Sequence, residues 1–354
     1  MKQKIIDKIN RLANQDEPFL FVINYQGDKA FIRQLSDINP EECLFDFEGR
    51  GNSSDEMKNN SEKIAEISWQ IAPPLYEDYE RSFDIVKNNI MAGNSYLTNL
   101  TCKVPVSCNL SLEDIFHRAK GKYKLLLRRK RNLTPFVCFS PETFVRIKNG
   151  RIYSYPMKGT LDASLPDAEK QLMEDRKEAA EHATIVDLIR NDLSRVAENV
   201  RVDKYRYIDV LHTNKGDILQ TSSEISGRLP EDYQEHLGEI LDAQLPAGSI
   251  TGAPKDKTMQ IIHEAEGYDR GFYTGIMGIY DQGELNSAVM IRFIEEETSP
   301  VDFEADGKKN FKASEGMGDE ASRELYFKAG GGITSKSDCR KEYEEVIQKI
   351  YLPF

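Results

Sequence analysis

The segment YPMKGTLDA, residues 155–163, holds a lysine that could act as a nucleophile. Lys158 follows an apolar, strand-like run and precedes Gly159-Thr160. Glycine at this position allows a sharp turn or a close approach of the backbone to a ligand. Most lysines are solvated surface charges, whereas a partly desolvated lysine amine can attack an electrophilic carbon. These nine residues alone leave both interpretations open.

Two predicted helices each carry two glutamates at a spacing of three residues. Glu178 and Glu181 lie on one face together with an apolar stripe, and Glu342 and Glu345 lie on one face together with Lys349. Each pair is either the solvated part of a helix or a buried acidic site that a cation would neutralise. The metal would be magnesium, because these candidates offer only a few oxygen ligands. The five histidines lack the paired spacing of a zinc site.

Two glycine-bearing segments could contact an anion. Gly330-Gly331-Gly332 precedes the last predicted helix, and a glycine run that enters a helix can present backbone N–H groups. PAGSITGAPK, residues 246–255, is predicted to be a turn with hydroxyls and a lysine, and an ordinary loop is the alternative. The spacing of a phosphate-binding P-loop occurs nowhere in the chain.

Composition limits the classes of partner. The chain has 354 residues, a formal net charge of −12, 39% hydrophobic and 30% charged residues. The acidity argues against nucleic acid or an anionic membrane surface as the main partner. Five cysteines, with no C-x-x-C spacing, are typical of reduced thiols in a cytosol. We find no apolar run long enough to span a bilayer.

The predicted helices and strands come in runs without strict alternation, which favours an α+β fold. The sequence predicts an N-terminal helix followed by a β-hairpin, a helix over Tyr76–Met91 and one long helix over 167–199. It also predicts a single strand over 284–295 and an extended polar loop over 295–323. Further strands are predicted at SYLTNLTCKVPV, LLLRR, PFVCFS, TFVRIK, RIYSYP, DILQTSSEISG and FYTGIMGIYD.

Seven segments together resemble one family, the chorismate-utilising enzymes, which includes anthranilate synthase component I, aminodeoxychorismate synthase component I and isochorismate synthases. The segments occur in the family's order: SPETFV (140–145), PMKGT (156–160), EHATIVDLIRND (181–192), PAGSITGAPK (246–255), RGFYTGIMG (270–278), SAVMIRF (287–293) and AGGGITSKSD (329–338). The resemblance implies a single large domain of two curved antiparallel β-sheets flanked by helices. Residues 76–354 would form the chorismate-binding catalytic core, and residues 1–75 a short N-terminal helix and hairpin packed on it.

Within this family, Lys158 distinguishes between activities. PMKGT resembles the P-I-K-G-T of aminodeoxychorismate synthase component I, whereas anthranilate synthase has alanine at the lysine position. The resemblance implies that Lys158 attacks C2 of chorismate, displaces the 4-hydroxyl and is displaced when ammonia attacks C4. The product would be 4-amino-4-deoxychorismate, the precursor of 4-aminobenzoate for folate. We expect burial and a nearby cation to lower the pKa of the lysine, so that it can lose its proton.

The resemblance also assigns a general acid and a magnesium site. Glu142 matches the acid that protonates the departing hydroxyl, and its carboxyl should be buried or close to another acid to keep its proton. The spacing of sixteen residues to Lys158 suggests two neighbouring strands that meet at one site. Glu181 and Glu345 match the magnesium ligands, with Glu178 and Glu342 flanking them. The positions that match substrate contacts are Thr160, Thr251, Gly252, Tyr273, Arg292, Gly331, Gly332 and Lys349.

Two positions depart from the family. Gln220 stands where members commonly have a histidine, which in anthranilate synthase is associated with pyruvate elimination. Leu97 stands where the family usually has glutamine, or in isochorismate synthases a lysine that activates water. Anthranilate synthase component I and a chorismate-binding homologue without turnover therefore remain the alternatives.

The resemblance further implies a partner in the cytoplasm. Enzymes of this chemistry usually obtain ammonia from glutamine, through a cysteine nucleophile in a G-x-C-x-G elbow. None of the five cysteines here has flanking glycines. We therefore expect a separate glutamine amidotransferase (glutaminase) subunit. Longer members of the family have extra sequence ahead of the core that forms a tryptophan pocket. Because the segment ahead of the core is short here, we do not expect this pocket.

Overall fold

The computed structural model of the chain describes residues 1–53, 66–128, 133–213, 216–298 and 323–354. The α-helices are α1 Gln3–Asn14, α2 Tyr76–Met91, α3 Leu112–Arg118, α4 Ala168–Glu174, α5 Arg176–Leu193, α6 Leu237–Gln244, α7 Lys255–Glu266 and α8 Cys339–Gln348. The strands of the first half are β1 Phe19–Ile23, β2 Ala30–Gln34, β3 Cys43–Phe47, β4 Arg50–Gly51, β5 Trp69–Ile71, β6 Leu97–Cys108, β7 Tyr123–Leu127, β8 Phe136–Ser140 and β9 Thr143–Lys148. The remaining strands are β10 Arg151–Ser154, β11 Met157–Asp162, β12 Glu198–Thr213, β13 Gly216–Arg228, β14 Gly252–Ala253, β15 Ile276–Asp281, β16 Glu284–Val289, β17 Phe293–Thr298 and β18 Arg323–Ile333.

The strands form two large antiparallel sheets. Sheet A has the order β11-β13-β10-β9-β16-β15-β1-β2, with β12 also paired to β13. Sheet B has the order β14-β6-β18-β17-β8-β7-β3-β4, with β5 also paired to β6. Both sheets are flanked by helices, so the predicted α+β fold is confirmed. Strands β1 to β5, from the first 75 residues, belong to these same sheets, while the proposed division at residue 75 stays a prediction.

The hydrophobic pattern of single strands explains the layering. All five residues of β1 are buried, and successive side chains of a strand point to opposite faces. Phe19, Phe21 and Ile23 pack in a core with α1, whereas Leu20 and Val22 pack in a core shared with sheet B. A third core joins the other face of sheet B to α2, α3, α7 and α8.

The N-terminal elements agree with their sequence pattern. The helix α1 buries Ile5, Ile6, Ile9 and Leu12, the apolar positions that recur at helical spacing. β1 and β2 then pair as the predicted hairpin. The predicted helix Tyr76–Met91 is also confirmed.

The prediction of a single helix over 167–199 is wrong, because the helix is interrupted at Asp175 and the stretch forms α4 and α5. Asp175 has extended backbone angles, and its carboxylate accepts hydrogen bonds from the N–H groups of Lys177 and Glu178. This N-cap satisfies amides that would otherwise lack partners at the start of α5. The chain then enters β12 at Glu198, a strand that the sequence analysis did not predict.

The strand predicted over 284–295 is two strands in different sheets. β16 belongs to sheet A and β17 to sheet B, and Arg292, with a φ of 56°, lies directly before β17. β17 extends to Thr298, so the start of the loop predicted over 295–323 is also wrong. The rest of that loop, 299–322, lies outside the described residues.

The three glycines before the last helix do not open it. Gly330, Gly331 and Gly332 lie within β18 and pair with Thr101, Leu100 and Asn99 of β6, respectively. The helix α8 begins later, at Cys339. The predicted glycine loop at a helix N-terminus is therefore wrong.

Among the described residues, no helix combines the length and apolar character needed to cross a membrane.

Candidate active site

A cavity of about 1000 Å³ lies where β11 and α5 face β18 and α8. Most of the predicted site residues line it, although they come from distant parts of the chain. They are Glu142, Lys158, Thr160, Glu178, Glu181, Tyr273, Arg292, Gly331, Gly332, Glu342, Glu345 and Lys349. Leu97 and Gln220 line it as well.

Two predicted substrate contacts lie behind the cavity wall. The side chain of Thr251 is fully buried, and its backbone carbonyl accepts the N–H of Asn99. Gly252 has a φ of 121°, and a Cβ there would lie 1.8 Å from the carbonyl oxygen of Leu97. Glycine is therefore required at 252 by the close approach to β6, whatever its part in binding.

Lys158 reaches the cavity from β11, and Gly159 brings helix α5 close to it. The pairing of β11 with β13 is irregular between Lys158 and Thr160, and Gly159 has a φ of 73°. A Cβ on Gly159 would lie 3.1 Å from Oε2 of Glu178. The glycine after the lysine thus allows a carboxylate of α5 to approach the strand.

The amine of Lys158 donates a hydrogen bond to Glu181 over 2.6 Å. The side chains are 35% and 18% exposed, respectively. Burial lowers the pKa of Lys158, but the hydrogen bond and charge of Glu181 outweigh it, with Glu178 and Glu345 adding to them. In the chain alone the net pKa of Lys158 lies above the usual value, and the lowering expected from burial together with a nearby cation stays a prediction.

The four predicted glutamates share the cavity with lysines. Burial raises the pKa of Glu178 and of Glu342, and in each case a neighbouring carboxylate adds to the rise. The pKa of Glu345 is lowered, because Lys349 outweighs the effect of burial; the Lys349 amine lies 2.7 Å from Glu345 Oε1. Glu178 and Glu342 thus keep their protons to a higher pH than usual, and positive charge entering the cavity would oppose this shift.

Glu142 lies in the loop between β8 and β9 and is held close to Ser249. The hydroxyl of Ser249 donates to Oε1 of Glu142 over 2.5 Å. Burial raises the pKa of the Glu142 carboxyl, against the opposing effects of Ser249, Arg292 and Lys349. A raised pKa suits a group that must keep its proton near neutral pH.

Glu142 reaches the cavity from the loop between β8 and β9, whereas Lys158 reaches it from β11, which does not pair with β8 or β9. β10 and β11 follow each other along the same edge of β13, and β9 pairs with β10. The interpretation of two adjacent strands is therefore wrong. Both residues line the same cavity, and β11 continues along β13 beyond the end of β10.

The cations Arg292 and Lys349 also line the cavity. Both lower the pKa of Glu142. The guanidinium carbon of Arg292 lies 5.6 Å from the ring centroid of Tyr351, and the amine of Lys349 also donates to the carbonyl of Gly330 over 3.0 Å. Arginine and lysine here can bind a substrate carboxylate. Tyr273 lines the same cavity and is only 3% exposed.

The two departures from the family pattern have different surroundings. Oε1 of Gln220 is buried and has no hydrogen-bond partner among the described residues, so it is free to accept from a ligand. The side chain of Leu97 has no polar group, and its Cδ1 would lie 3.1 Å from a Cβ on Gly332. The side chain of Gln220 can therefore accept a hydrogen bond from a ligand, whereas the side chain of Leu97 packs against the backbone at Gly332.

Sequence reasoning missed three lining residues that bear on the chemistry. Ser249 contacts Glu142, Lys177 lies 3.7 Å from Glu181, and the buried Oδ1 of Asn99 has no hydrogen-bond partner within the described ranges. Ser249 belongs to PAGSITGAPK, which the sequence analysis did single out, but nothing in the spacing shows which hydroxyl faces a carboxylate.

The donor set suits magnesium with few protein ligands. In the part of the chain that the structure describes, no three carboxylate, imidazole or thiolate groups converge to form a metal site. Glu181 and Glu345 nevertheless offer hard oxygen donors in a cavity that also holds Glu178 and Glu342. Magnesium commonly uses only one or two carboxylates and completes its shell with water and substrate. The residues therefore fit a magnesium ion whose remaining ligands are water and substrate.

Comparison with known proteins decides the family. Residues 13–307 match the family described as chorismate binding enzyme. The chain belongs to the family of chorismate-binding enzymes.

Three relatives differ in their identity to this chain and in how much of it they match. An uncharacterized PabA-like protein of Haemophilus influenzae is 46% identical over 99% of this chain and 97% of its own length. Anthranilate synthase component 1 of Aquifex aeolicus is 34% identical over 59% of this chain and 38% of its own length. Aminodeoxychorismate synthase component 1 of Salmonella typhimurium is 30% identical over 77% of this chain and 56% of its own length. The chain thus spans about half or less of the two synthases.

A solved structure supports the fold alone. A putative 2,3-dihydroxybenzoate-specific isochorismate synthase from Bacillus anthracis aligns with a TM-score of 0.69 at 18% identity. The alignment covers 98% of this chain and 86% of the other.

Proposed function

We propose that this chorismate-binding enzyme is an aminodeoxychorismate synthase component I, which converts chorismate and ammonia to 4-amino-4-deoxychorismate and water. The observation that carries the proposal is the Lys158 amine in the cavity, in a hydrogen bond of 2.6 Å to Glu181. The name of the Salmonella relative supports it. The product would supply 4-aminobenzoate for folate biosynthesis.

In the proposed reaction the residues of this chain act in two displacements. Lys158, after losing a proton, forms a bond from Nζ to C2 of the ring. Both ring double bonds shift, the C4–O bond breaks, and Glu142 gives its proton to the departing hydroxyl, which leaves as water. Ammonia then attacks C4, both double bonds shift back, the amine of Lys158 leaves C2, and the ammonium group formed at C4 gives up a proton. Covalent catalysis splits one hard substitution into two easier steps.

In the proposed complex, cationic side chains hold one carboxylate of chorismate and magnesium holds the other. Arg292 and Lys349 would hold the enolpyruvyl carboxylate, with Tyr273 and the backbone of Gly331 and Gly332 beside it. Thr160 would contact the ring. Magnesium at Glu181 and Glu345, flanked by Glu178 and Glu342, would hold the ring carboxylate and offset the negative charge of these four groups.

The second candidate is anthranilate synthase component I, which the similarity to the Aquifex relative favours. It would release pyruvate and form an aromatic product. The lysine at 158 and the glutamine at 220 both argue for the first candidate. A third candidate binds chorismate without turnover, for which Leu97 and Gln220 are the reasons.

One experiment distinguishes the three candidates. The purified chain is incubated with chorismate, magnesium and ammonium, and the products are separated and identified by mass. Aminodeoxychorismate supports the proposal, whereas anthranilate with pyruvate supports the second candidate. Unchanged chorismate, in a protein that binds chorismate by calorimetry, supports the third.

A further inference from the structure

We infer that Ser249 is a positioning residue that holds the Glu142 carboxyl and determines which of its two oxygens gives up the proton. The inference rests on the proposed function, in which Glu142 is the acid for the departing hydroxyl. It deepens that function by adding a residue that the family resemblance did not assign.

Glu142 is fixed at its backbone as well as its side chain. Its N–H donates to the hydroxyl of Ser140 over 3.1 Å, and its carbonyl accepts from the N–H of Val289 over 3.2 Å. With the backbone held at both ends of the residue, the remaining freedom is in the side chain. The 2.5 Å hydrogen bond from Ser249 to Oε1 removes that freedom.

Ser249 can do this because its own segment is anchored. It lies in a 3₁₀ turn, Gly248–Ile250. A Cβ on Gly248 would lie 2.9 Å from Leu188 of α5, so the turn packs tightly against that helix. On the other side, the buried guanidinium of Arg270 donates to the carbonyl of Ile250 over 2.9 Å.

A buried ion pair anchors the same segment farther along. The amine of Lys255 lies 2.9 Å from Asp192 of α5 and donates to the carbonyl of Gln244 over 2.8 Å. The side chain of Gln244 also donates to the carbonyl of Asp192 over 2.9 Å, so residues 244–255 are tied to α5 at both ends. A hydrogen-bond donor on so rigid a segment is organised before substrate arrives, which is what positions a catalytic group effectively.

The direction of the hydrogen bond decides the position of the proton. With the Ser249 hydroxyl as the donor to Oε1, that oxygen acts as an acceptor, and the inference places the acidic proton of neutral Glu142 on Oε2. The same hydrogen bond stabilises the carboxylate that remains after proton transfer. Arg292 and Lys349 are the charged groups that favour the ionised form of Glu142 with it, while burial opposes all three.

The kinetic test compares Ser249→Ala with Ser249→Thr. Without the hydroxyl, kcat should fall about tenfold to a hundredfold, a part of the usual contribution of a general acid, while KM for chorismate changes little. The alkaline limb of the pH profile should move to higher pH, because the pKa of Glu142 rises when it loses the donor. Ser249→Thr keeps a hydroxyl and should restore most of the rate. Ser194→Ala is the matched control, since that exposed hydroxyl only donates to the carbonyl of Arg190.

A spectroscopic test does not depend on turnover. In protein labelled with ¹³C at the glutamate carboxyls, the Glu142 signal is identified by its loss in Glu142→Gln and is followed through a pH titration. Its titration should move to higher pH in Ser249→Ala and return in Ser249→Thr. An unchanged titration in Ser249→Ala overturns the inference, as does unchanged kcat in an active enzyme. If the wild type forms no product from chorismate, the proposed function fails, and the titration still decides the contact.

Discussion

The amine of Lys158 lies 2.6 Å from Oε2 of Glu181. The proposed nucleophile and a proposed magnesium ligand therefore share one hydrogen bond in the chain alone. That bond opposes nucleophilicity, because the charge of Glu181 raises the pKa of the lysine against the effect of its burial. It also places an acceptor where the proton of Lys158 can go. Changes at either residue will thus affect both groups.

The first prediction separates the nucleophilic amine of Lys158 from its positive charge. Lys158→Arg keeps a cation beside Glu181 but removes the nucleophilic amine, since the guanidinium stays protonated. Both Lys158→Arg and Lys158→Ala should lose at least about a hundredfold in the rate of aminodeoxychorismate formation, about 3 kcal/mol of barrier. Chorismate supplied without ammonia should leave a mass adduct on the wild-type peptide that contains Lys158, and on neither variant.

Lys177→Ala is the control for charge. It removes another cation near Glu181, at 3.7 Å, and should lose much less activity than either change at Lys158. An adduct found on Lys255, or a rate kept by Lys158→Arg, would show that the nucleophile is wrongly assigned.

Much of the fold follows from local sequence patterns, and the exceptions have local causes. The apolar positions of α1 and the hairpin β1–β2 are set by periodicity, which the sequence shows directly. The break at Asp175 depends on a side-chain cap within a stretch that otherwise resembles one helix. The change of sheet at Arg292 depends on a single positive φ, which hydrophobic pattern does not encode.

The second prediction concerns Glu142 and pH. Glu142→Gln cannot donate the proton and should slow product formation by about 10²–10⁴-fold. The same change should stabilise the fold at alkaline pH. The folded pKa of Glu142 lies above its ordinary value of 4.5, so the stability due to the neutral carboxyl is fully present below about pH 4.5. It is lost as the pH rises through the folded pKa.

Glutamine stays neutral, so the melting temperature of Glu142→Gln should exceed that of the wild type increasingly as the pH rises from 4.5. Thermal unfolding from pH 4 to pH 9 measures this difference. A difference that stays constant over this range would mean that the carboxyl does not titrate abnormally.

The third prediction tests whether metal and substrate share one site. Glu181→Gln and Glu345→Gln should each weaken both magnesium and chorismate binding by about tenfold or more, about 1.4 kcal/mol or more. Isothermal titration calorimetry with each ligand alone, and then with the other present, measures the coupling. Glu344→Gln is the matched control, because Glu344 is an exposed neighbour on the same helix. Unaltered chorismate affinity in the first two variants, with magnesium present, would remove both glutamates from the metal.

The site was less accessible from sequence than the fold, because its contacts join distant segments. Glu142 and Ser249 are 107 residues apart, and the pair forms only because residues 244–255 are tied to α5. Most of the residues that the resemblance assigned line one cavity, whereas Thr251 and Gly252 are outside its lining, and the functions assigned to all of them stay predictions. Single hydroxyls such as that of Ser249 carry no spacing signal of their own.

The last prediction is that the purified chain uses ammonium but not glutamine. Glutamine hydrolysis by the expected partner requires a reactive cysteine thiolate. Burial raises the pKa of Cys102 to about 12, and it raises the pKa of Cys43 and Cys138 still more strongly. It also raises the pKa of Cys108 and Cys339, so these thiols are all poor nucleophiles near neutral pH.

Product formation is measured with ammonium chloride at alkaline pH, with glutamine, and with glutamine after addition of a separate glutamine amidotransferase subunit. We expect product in the first and third mixtures and none in the second. Below the alkaline limb set by Glu142, the ammonium reaction should rise with pH in step with free ammonia, because ammonium has no lone pair to attack C4. Robust glutamine use by the isolated chain would falsify the need for a partner and would require an amidohydrolase site within this sequence.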